Sequence, residues 1–159
     1  MFAEQLYCLG KYYNNALIGI EINYSRYPVK VLLELGYDNQ FSQAYYNRTP
    51  SAPERRYGFL TSCSTRSIII SNLVVKMRES LELETDRETL KELCTFIVHP
   101  NGKKAAALGS HDDLVMASAI ANQIAQTYVN QMQIIDTGSG DFEKNFSLPK
   151  EEPNQFMEW

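Results

Sequence analysis

Residues 16–23 read ALIGIEIN, and this stretch decides how the chain is organised. A short, continuous apolar run that is rich in isoleucine is typical of a buried strand. Since successive side chains of a strand point to opposite faces, the three isoleucines share one face, and the other face carries Gly19, Glu21 and Asn23. A glutamate inside a buried run is unusual. Glu21 therefore lies on the exposed face of an edge strand, forms an ion pair, or belongs to a functional site.

Helical and strand patterns alternate on both sides of this run. Apolar spacing, a proline near a helix start and a glycine after a helix end predict helices over residues 2–13, 28–36, 64–80 and 111–131. Strands are predicted at residues 41–47, 94–98 and 105–108, the last two joined in a hairpin by the turn sequence PNGKK, while residues 48–56 form a loop. This alternation predicts an α/β domain.

The composition limits the classes of protein that the chain can belong to. With 159 residues, 44% of them hydrophobic, we expect one globular domain over residues 1–135, followed by a flexible, acidic tail over residues 136–159. The net charge of -4 gives no overall signature of nucleic-acid binding. Three cysteines without CxxC spacing indicate reduced thiols. No apolar run approaches the roughly 18 residues of a membrane span, so we expect a soluble, cytoplasmic protein.

A second charged feature occurs where the last helix begins, in the stretch GSHDDLVMASAIA, residues 109–121. Ser110 and Asp113 match the pattern of a capping box, which would need no further function. On a helical wheel, Asp113 lies on the side of Ile120 and Ile124 that should face the core, whereas Asp112 points to the solvated side. An inward carboxylate requires a partner or a cation. Together with the strand glutamate, it indicates a site for a hard divalent cation.

Four stretches occur in a characteristic order along the chain: IGIEIN, GFLTSCSTRSIIISNL, ELCTFIV and GSHDDLVMASAIA. This ordered set resembles the C-terminal nuclease domain of the large terminase subunit of tailed bacteriophages, over nearly the whole chain up to about residue 131. The resemblance implies an RNase H-like fold, a mixed sheet flanked by helices. It also implies hydrolysis of DNA phosphodiesters by a site with two Mg²⁺ or Mn²⁺ ions during genome packaging.

The resemblance assigns the metal ligands of this site. Glu21 and Asp113 match two of the three acidic residues of the family, with Asp112 as a substitute ligand and His111 as a neighbour. The opening strands of the family, which carry the third acidic residue, are not found in these residues, and neither is a GxxxxGK[ST] loop of the ATPase half. We therefore expect a fold truncated at its N-terminus, little or no activity, and a sheet edge exposed for self-association.

The resemblance also implies partners and a location. They are double-stranded DNA, the terminase ATPase domain or small subunit, and the portal protein, in the cytoplasm of a bacterium whose phage or prophage encodes the chain. Two other hypotheses stay open. One is a non-catalytic RNase H-like module that binds DNA, the portal or itself. The other is a nuclease of the resolvase or transposase kind, which would share the carboxylates but act on a different substrate.

Several other side chains are weaker candidates for contacts with DNA. Thr61, Thr65 and Arg66 at a helix start would suit a phosphate, although an ordinary cap with a solvated arginine explains them equally well. Lys103 and Lys104 lie in the predicted hairpin turn, where they would also favour solubility. The loop around residues 45–57 interleaves arginines with tyrosines, which is more often an ordinary surface. Glu92 is interpreted as a structural ion-pair partner, and a zinc site is not expected.

Overall fold

The computed structural model describes residues 1–45, 54–80, 82 and 84–137, and these form a mixed α/β structure, as predicted. The elements follow the order α1 Phe2–Tyr12, α2 Tyr27–Glu34, β1 Ser42–Tyr45, β2 Glu54–Tyr57, α3 Cys63–Glu79, α4 Arg87–Thr95, β3 Phe96–Val98, β4 Lys104–Ala106 and α5 Asp113–Thr137. The predicted helices all form, with ends displaced by a few residues.

The first two helices end in turns that the sequence specifies. Asn14 and Asn15 follow α1 with φ angles of 54° and 58°, a left-handed conformation that asparagine tolerates better than most residues. Pro28 lies in the first turn of α2, where its missing N–H costs no helical hydrogen bond. Gly36 follows α2 with a φ of 72° and turns the chain towards β1. These turns bring α1 and α2 together on the isoleucine face of the run 16–23.

The run 16–23 is extended and pairs with its neighbours through two isolated parallel bridges. Ile18 pairs with Gln40, and Glu21 pairs with Phe59. The predicted alternation is confirmed, because Ile20 and Ile22 are buried while Glu21 is exposed. The predicted continuous strand is replaced by single bridges, since the chain after Phe41 turns away to form the hairpin of β1 and β2.

Two apolar clusters lie against this run. The isoleucine face packs on α1 and α2 in a cluster of five buried residues, namely Ile20, Ile22, Val29, Leu32 and Tyr37. On its opposite side, the start of the run meets a larger cluster from α3, α5 and two phenylalanines, which contains Phe41, Phe59, Ile69, Ile70, Leu73, Val115, Met116, Ala119, Ile120 and Ile124. The isoleucine face of the run is thus buried, whereas Gly19, Glu21 and Asn23 on the other face are exposed.

Close contacts at two glycines fix the spacing of these layers. A Cβ atom at Gly10 of α1 would lie 2.3 Å from the hydroxyl oxygen of Tyr37, and one at Gly19 would lie 2.3 Å from Cδ1 of Ile124. The Tyr37 hydroxyl in turn donates a hydrogen bond to the backbone oxygen of Ala16. Glycine at position 10 therefore lets α1 approach a buried aromatic ring that is hydrogen-bonded to the start of the central run.

Two antiparallel hairpins complete the strands that the structure describes. In the first, β1 pairs with β2 from Ser42 opposite Tyr57 to Tyr45 opposite Glu54. The predicted loop 48–56 is thus wrong for residues 54–56, which belong to β2. This strand starts directly after Pro53, where the chain can pair with β1. Residues 48–53 of that loop, Arg48 among them, and residues 46–47 of the predicted strand 41–47 lie outside the described residues.

The second hairpin joins β3 to β4, as predicted, from Phe96 opposite Ala106 to Val98 opposite Lys104. The predicted strand 94–98 is shorter than expected, since Cys94 and Thr95 end α4. Apolar runs of this length are compatible with both helix and strand, so the pattern alone could not locate the boundary.

Residues Met1–Thr127 form one compact unit, and the chain from Tyr128 onwards belongs to a second. The predicted domain limit at residue 135 stays a prediction, and the predicted tail lies outside the described residues from position 138. Cys8, Cys63 and Cys94 are free and exposed. In the portion of the chain that the structure describes, no helix combines the length and the hydropathy of a membrane span.

Candidate functional site

A cleft of about 940 Å³ opens within the first compact unit. Its walls come from four places: the central run with Asn23 and Tyr24, the start of α3, strand β4 and the first turns of α5. Glu21, Asp112 and Asp113 all line this cleft. The fold thus brings the carboxylate of the central run and the two carboxylates before α5 to one concave surface, although they are far apart in the sequence.

Glu21 presents an exposed carboxylate to the cleft. Its neighbours Ile20 and Ile22 are buried on the opposite face, so the side chain of Glu21 cannot turn inward without reversing the whole run. Among the described residues, no side chain forms a hydrogen bond or an ion pair with this carboxylate. The sequence left three interpretations of Glu21 open: an exposed edge, an ion pair or a functional site. Within the described residues the ion pair is not found, and Glu21 is an exposed acid that lines a cleft.

Asn23 attaches the central run to the start of α3. Its side-chain oxygen accepts a hydrogen bond of 2.7 Å from the Thr61 backbone N–H, and its side-chain nitrogen donates one of 2.6 Å to the Thr61 carbonyl oxygen. This reciprocal pair holds Glu21 and the first turn of α3 at the same wall. The alternation of the run placed Asn23 on the face of Glu21, but its partner, 38 residues away, could not be inferred from the sequence.

The prediction that Asp113 points into the core is wrong. Its side chain is 88% exposed, and its nearest described charged group is Nδ1 of His111 at 3.9 Å, which makes an ion pair only when the imidazole is protonated. Asp113 is the first residue of α5, and Ala117, one turn later on the same side, is also exposed and lines the cleft. Further along the same side, Ile120 and Ile124 are buried, so only the start of this stripe lies outside the core.

The prediction that Asp112 is solvated is also wrong. One of its carboxylate oxygens lies 2.6 Å from Nη2 of Arg66, and both side chains are only about a quarter exposed, at 25% and 26%. A helical wheel does not apply to Asp112, since this residue precedes the first residue of α5. Its direction is set by α3, which places Arg66 beside it.

The predicted capping box of Ser110 and Asp113 does not hold the start of α5. Instead, one carboxylate oxygen of Glu92, on α4, accepts hydrogen bonds of 2.8 Å from the Leu114 N–H and 3.2 Å from the Val115 N–H. Glu92 thus has a structural role, as predicted, but as a helix cap instead of an ion-pair partner. A negative charge at this position also interacts favourably with the helix dipole.

The start of α3 contributes the polar wall of the cleft. The Ser62 hydroxyl accepts from the Thr65 N–H at 3.2 Å, and the Thr65 hydroxyl accepts from the Ser62 N–H at 2.7 Å, which is a complete capping box. Thr65 is therefore engaged in the cap. Thr61 and Arg66 line the cleft, and in the described part of the chain Oγ1 of Thr61 and Nε of Arg66 are buried without a hydrogen-bond partner.

The two lysines of the second hairpin have different surroundings. Lys103 lines the cleft. Lys104 points elsewhere, and its Nζ donates a hydrogen bond of 3.1 Å to the Ser71 hydroxyl on α3. Of the five weaker candidates for contacts with DNA, the cleft therefore contains Thr61, Arg66 and Lys103.

The donor set of the cleft suits one hydrated divalent ion. Magnesium is often bound through one or two carboxylates while water and phosphate oxygens complete its octahedron, and within the described residues no lysine or arginine pairs with Glu21 or Asp113. A complete site for two ions requires more. Within the described residues, no group of three or more histidine, cysteine, aspartate or glutamate side chains is arranged to hold a metal.

Comparisons of the chain with protein-family models, with characterised proteins and with solved structures gave no match.

Proposed function

We propose that the chain is an RNase H-like nuclease domain of the terminase kind, whose cleft binds the backbone of double-stranded DNA together with a divalent cation. The observation that carries this proposal is the position of Glu21 and Asp113 on one cleft, both exposed and neither neutralised by a described lysine or arginine. Unpaired carboxylates that converge on a concave surface are more expected at a functional site than on an ordinary surface.

Glu21 and Asp113 would hold Mg²⁺ or Mn²⁺ through their carboxylate oxygens, and the remaining ligands would be water and a phosphate oxygen. When bound, such an ion activates water and offsets the negative charge of a phosphodiester. The contribution of the protein is to fix the two acids on separate elements. The bridge between Glu21 and Phe59 fixes one, and the cap from Glu92 fixes the helix that carries the other.

The cationic side of the cleft would bind the DNA backbone. Lys103 from the hairpin and the first turn of α3 lie on the same surface as the acids, so a phosphate could contact both while it approaches the ion. These contacts read no base edges. We therefore expect binding without strong sequence preference and with a marked dependence on salt.

We expect this chain by itself to cut DNA slowly or not at all. Two carboxylates bind a hydrated ion weakly, and the resemblance implies a third acidic ligand in addition to Glu21 and Asp113. The ATPase domain, the small subunit and the portal are the proposed partners, in the cytoplasm of a bacterial host. A sheet edge next to the central run would allow self-association.

The second candidate is a non-catalytic module of the same fold, and one observation favours it. Within the described residues, the acids of the cleft do not form a group of three metal ligands. Such a module would use the cleft to bind DNA, the portal or a second copy of itself.

Nicking of supercoiled plasmid in Mn²⁺ separates the two candidates. We expect slow, Mn²⁺-dependent nicking that is lost in Glu21→Gln and in Asp113→Asn. Glu88→Gln is the matched control, since it removes the same charge from an exposed side chain of α4 that pairs with Lys91. Nicking that both cleft variants retain would contradict the proposal. Absence of nicking, together with no change in melting temperature on adding millimolar Mn²⁺, would support the non-catalytic module.

A further inference from the structure

We propose that Arg66 is a built-in counter-ion of Asp112, which keeps this carboxylate out of metal coordination and limits the cleft of this chain to one divalent cation. The proposal rests on the proposed function for the presence of that cation. It adds two statements that do not follow from the carboxylates alone: the role of Arg66, and the number of cations that the cleft can bind.

The geometry distinguishes the two adjacent aspartates clearly. Asp112 has a guanidinium nitrogen at 2.6 Å and is 25% exposed, whereas Asp113 is 88% exposed with only a histidine at 3.9 Å. A charge pair that is partly removed from water attracts more strongly than one on an open surface. A cation that enters the cleft therefore meets two available acids, Glu21 and Asp113, and a third one that already carries a positive partner.

Competition between Arg66 and a metal ion follows from charge. For Asp112 to bind a metal, the guanidinium must leave its oxygen, and a positive group would then remain beside a dication. The position of Arg66 is fixed by α3, whose first turn is held by its own capping box. Retreat of the arginine is thus restricted, and Asp112 stays with it.

The pair of Arg66 and Asp112 is nevertheless joined by a single hydrogen bond, so one substitution of Arg66 should break it. Only Nη2 of Arg66 reaches Asp112, and Nε is buried without a partner among the described residues. A forked arginine–carboxylate pair would use two parallel hydrogen bonds. Replacing Arg66 by a neutral residue should therefore release Asp112 towards the cleft, where it adds a third carboxylate to Glu21 and Asp113.

The test counts bound Mn²⁺ by electron paramagnetic resonance of the free ion, on the purified chain without DNA. We expect one weak site in the original chain. In Arg66→Gln we expect binding on the order of tenfold tighter, the size typical of coupling within one charged network, or a second bound ion. Arg78→Gln is the matched control, because it removes the same charge from an exposed position at the other end of α3.

The double variant Arg66→Gln with Asp112→Asn assigns the gain to Asp112. It should return to the affinity of the original chain, since the net charge is unchanged and the added ligand is gone. Circular dichroism melting of each variant verifies that it is folded. A gain of equal size in Arg78→Gln, or a gain that survives in the double variant, would overturn the proposal.

The result also separates this proposal from the one on which it rests. If the original chain binds Mn²⁺ and Arg66→Gln binds it no better, the role of Arg66 is wrong and the cation site stands. If neither the original chain nor any variant binds Mn²⁺, both the cation site and the role of Arg66 are wrong.

Discussion

Helices α3 and α5 both begin at the cleft, but their first turns are held in different ways. The first turn of α3 is capped locally, by the reciprocal hydrogen bonds of Ser62 and Thr65. The first turn of α5 is capped by Glu92, which lies 22 residues earlier on another helix. Both solutions satisfy amide groups that have no partner within the helix.

The difference matters because a cap occupies the side chains that make it. The hydroxyl of Thr65 is engaged within its own turn and is not free for a ligand. At α5 the cap comes from outside, so neither Asp112 nor Asp113 is needed to hold the helix. Asp112 binds Arg66 instead, and Asp113 remains exposed to the cleft. A cap supplied by another helix thus frees both aspartates from the capping role.

Removal of the distant cap should have the largest effect on stability. In Glu92→Ala, the N–H of Val115, a residue that is 1% exposed, loses its partner near the core. Loss of hydrogen bonds to a charged acceptor predicts a decrease of about 1.5–3 kcal/mol in the free energy of unfolding. Urea denaturation measures it, and Glu88→Ala on the exposed side of α4 serves as the control. Equal stabilities of the two variants would show that α5 is capped in another way.

Removal of the local cap should cost less. Ser62→Ala deletes one member of the capping box of α3, and a typical N-cap substitution lowers the free energy of unfolding by about 1 kcal/mol. Ser67→Ala, at an exposed position of the same helix, is a suitable reference because no described residue forms a hydrogen bond with its side chain. A loss in Ser62→Ala as large as that in Glu92→Ala would remove the distinction between the two caps.

Helix α4 provides a third, titratable cap. Hydrogen bonds from the Thr89 backbone N–H and hydroxyl, both at 2.8 Å, lower the pKa of Asp86 below its ordinary value. Because the folded pKa is depressed, the cap stabilises the helix at neutral pH and is lost as the pH falls through that pKa. NMR titration should show the Thr89 amide signal following the Asp86 carboxyl, and Asp86→Asn should abolish this transition. An ordinary pKa for Asp86 would contradict the cap.

The smallest effect is expected where the sequence predicted a cap and the structure has none. The Ser110 hydroxyl makes no hydrogen bond to an amide of α5 among the described residues. Ser110→Ala should therefore change the free energy of unfolding by no more than about 0.5 kcal/mol, as at an ordinary surface position. Parallel urea titrations of this variant and Ser62→Ala make the comparison direct. A cost near 1 kcal/mol for Ser110→Ala would restore the capping box that the sequence suggested.

Much of the local structure follows from the sequence because its causes are local. The period-2 alternation of the central run, the apolar spacing of α3 and the turn chemistry between β3 and β4 depend on residues a few positions apart. Element boundaries were less predictable. Strand β2 forms after two prolines because β1 is available as a partner, and residues 94 and 95 stay helical where composition favours a strand. The RNase H-like arrangement of these elements remains a proposal.

The candidate site, too, was predicted only in part from the sequence. The sequence indicated Glu21, Asp112 and Asp113 as chemically unusual, and the alternation of the run correctly placed Glu21 away from the buried isoleucines. The directions of the two aspartates were predicted wrongly. A helical wheel does not apply to Asp112, which precedes α5, and Asp113 opens the helix before its buried residues begin. The partners of Asn23 and Glu92 could not be inferred from the sequence, because they are 38 and 22 residues away.

The sequence by itself determined most of the helices, though not α4, and which acids are unusual, since these properties depend on side-chain periodicity and on the chemistry of neighbouring residues. Only the tertiary structure decided that Arg66 neutralises Asp112, that Glu92 caps α5 and that Asp113 stays free beside the cleft. The reason is physical: the state of a charged group is set by the groups that folding brings within a few ångströms of it, and these come from other elements of the chain.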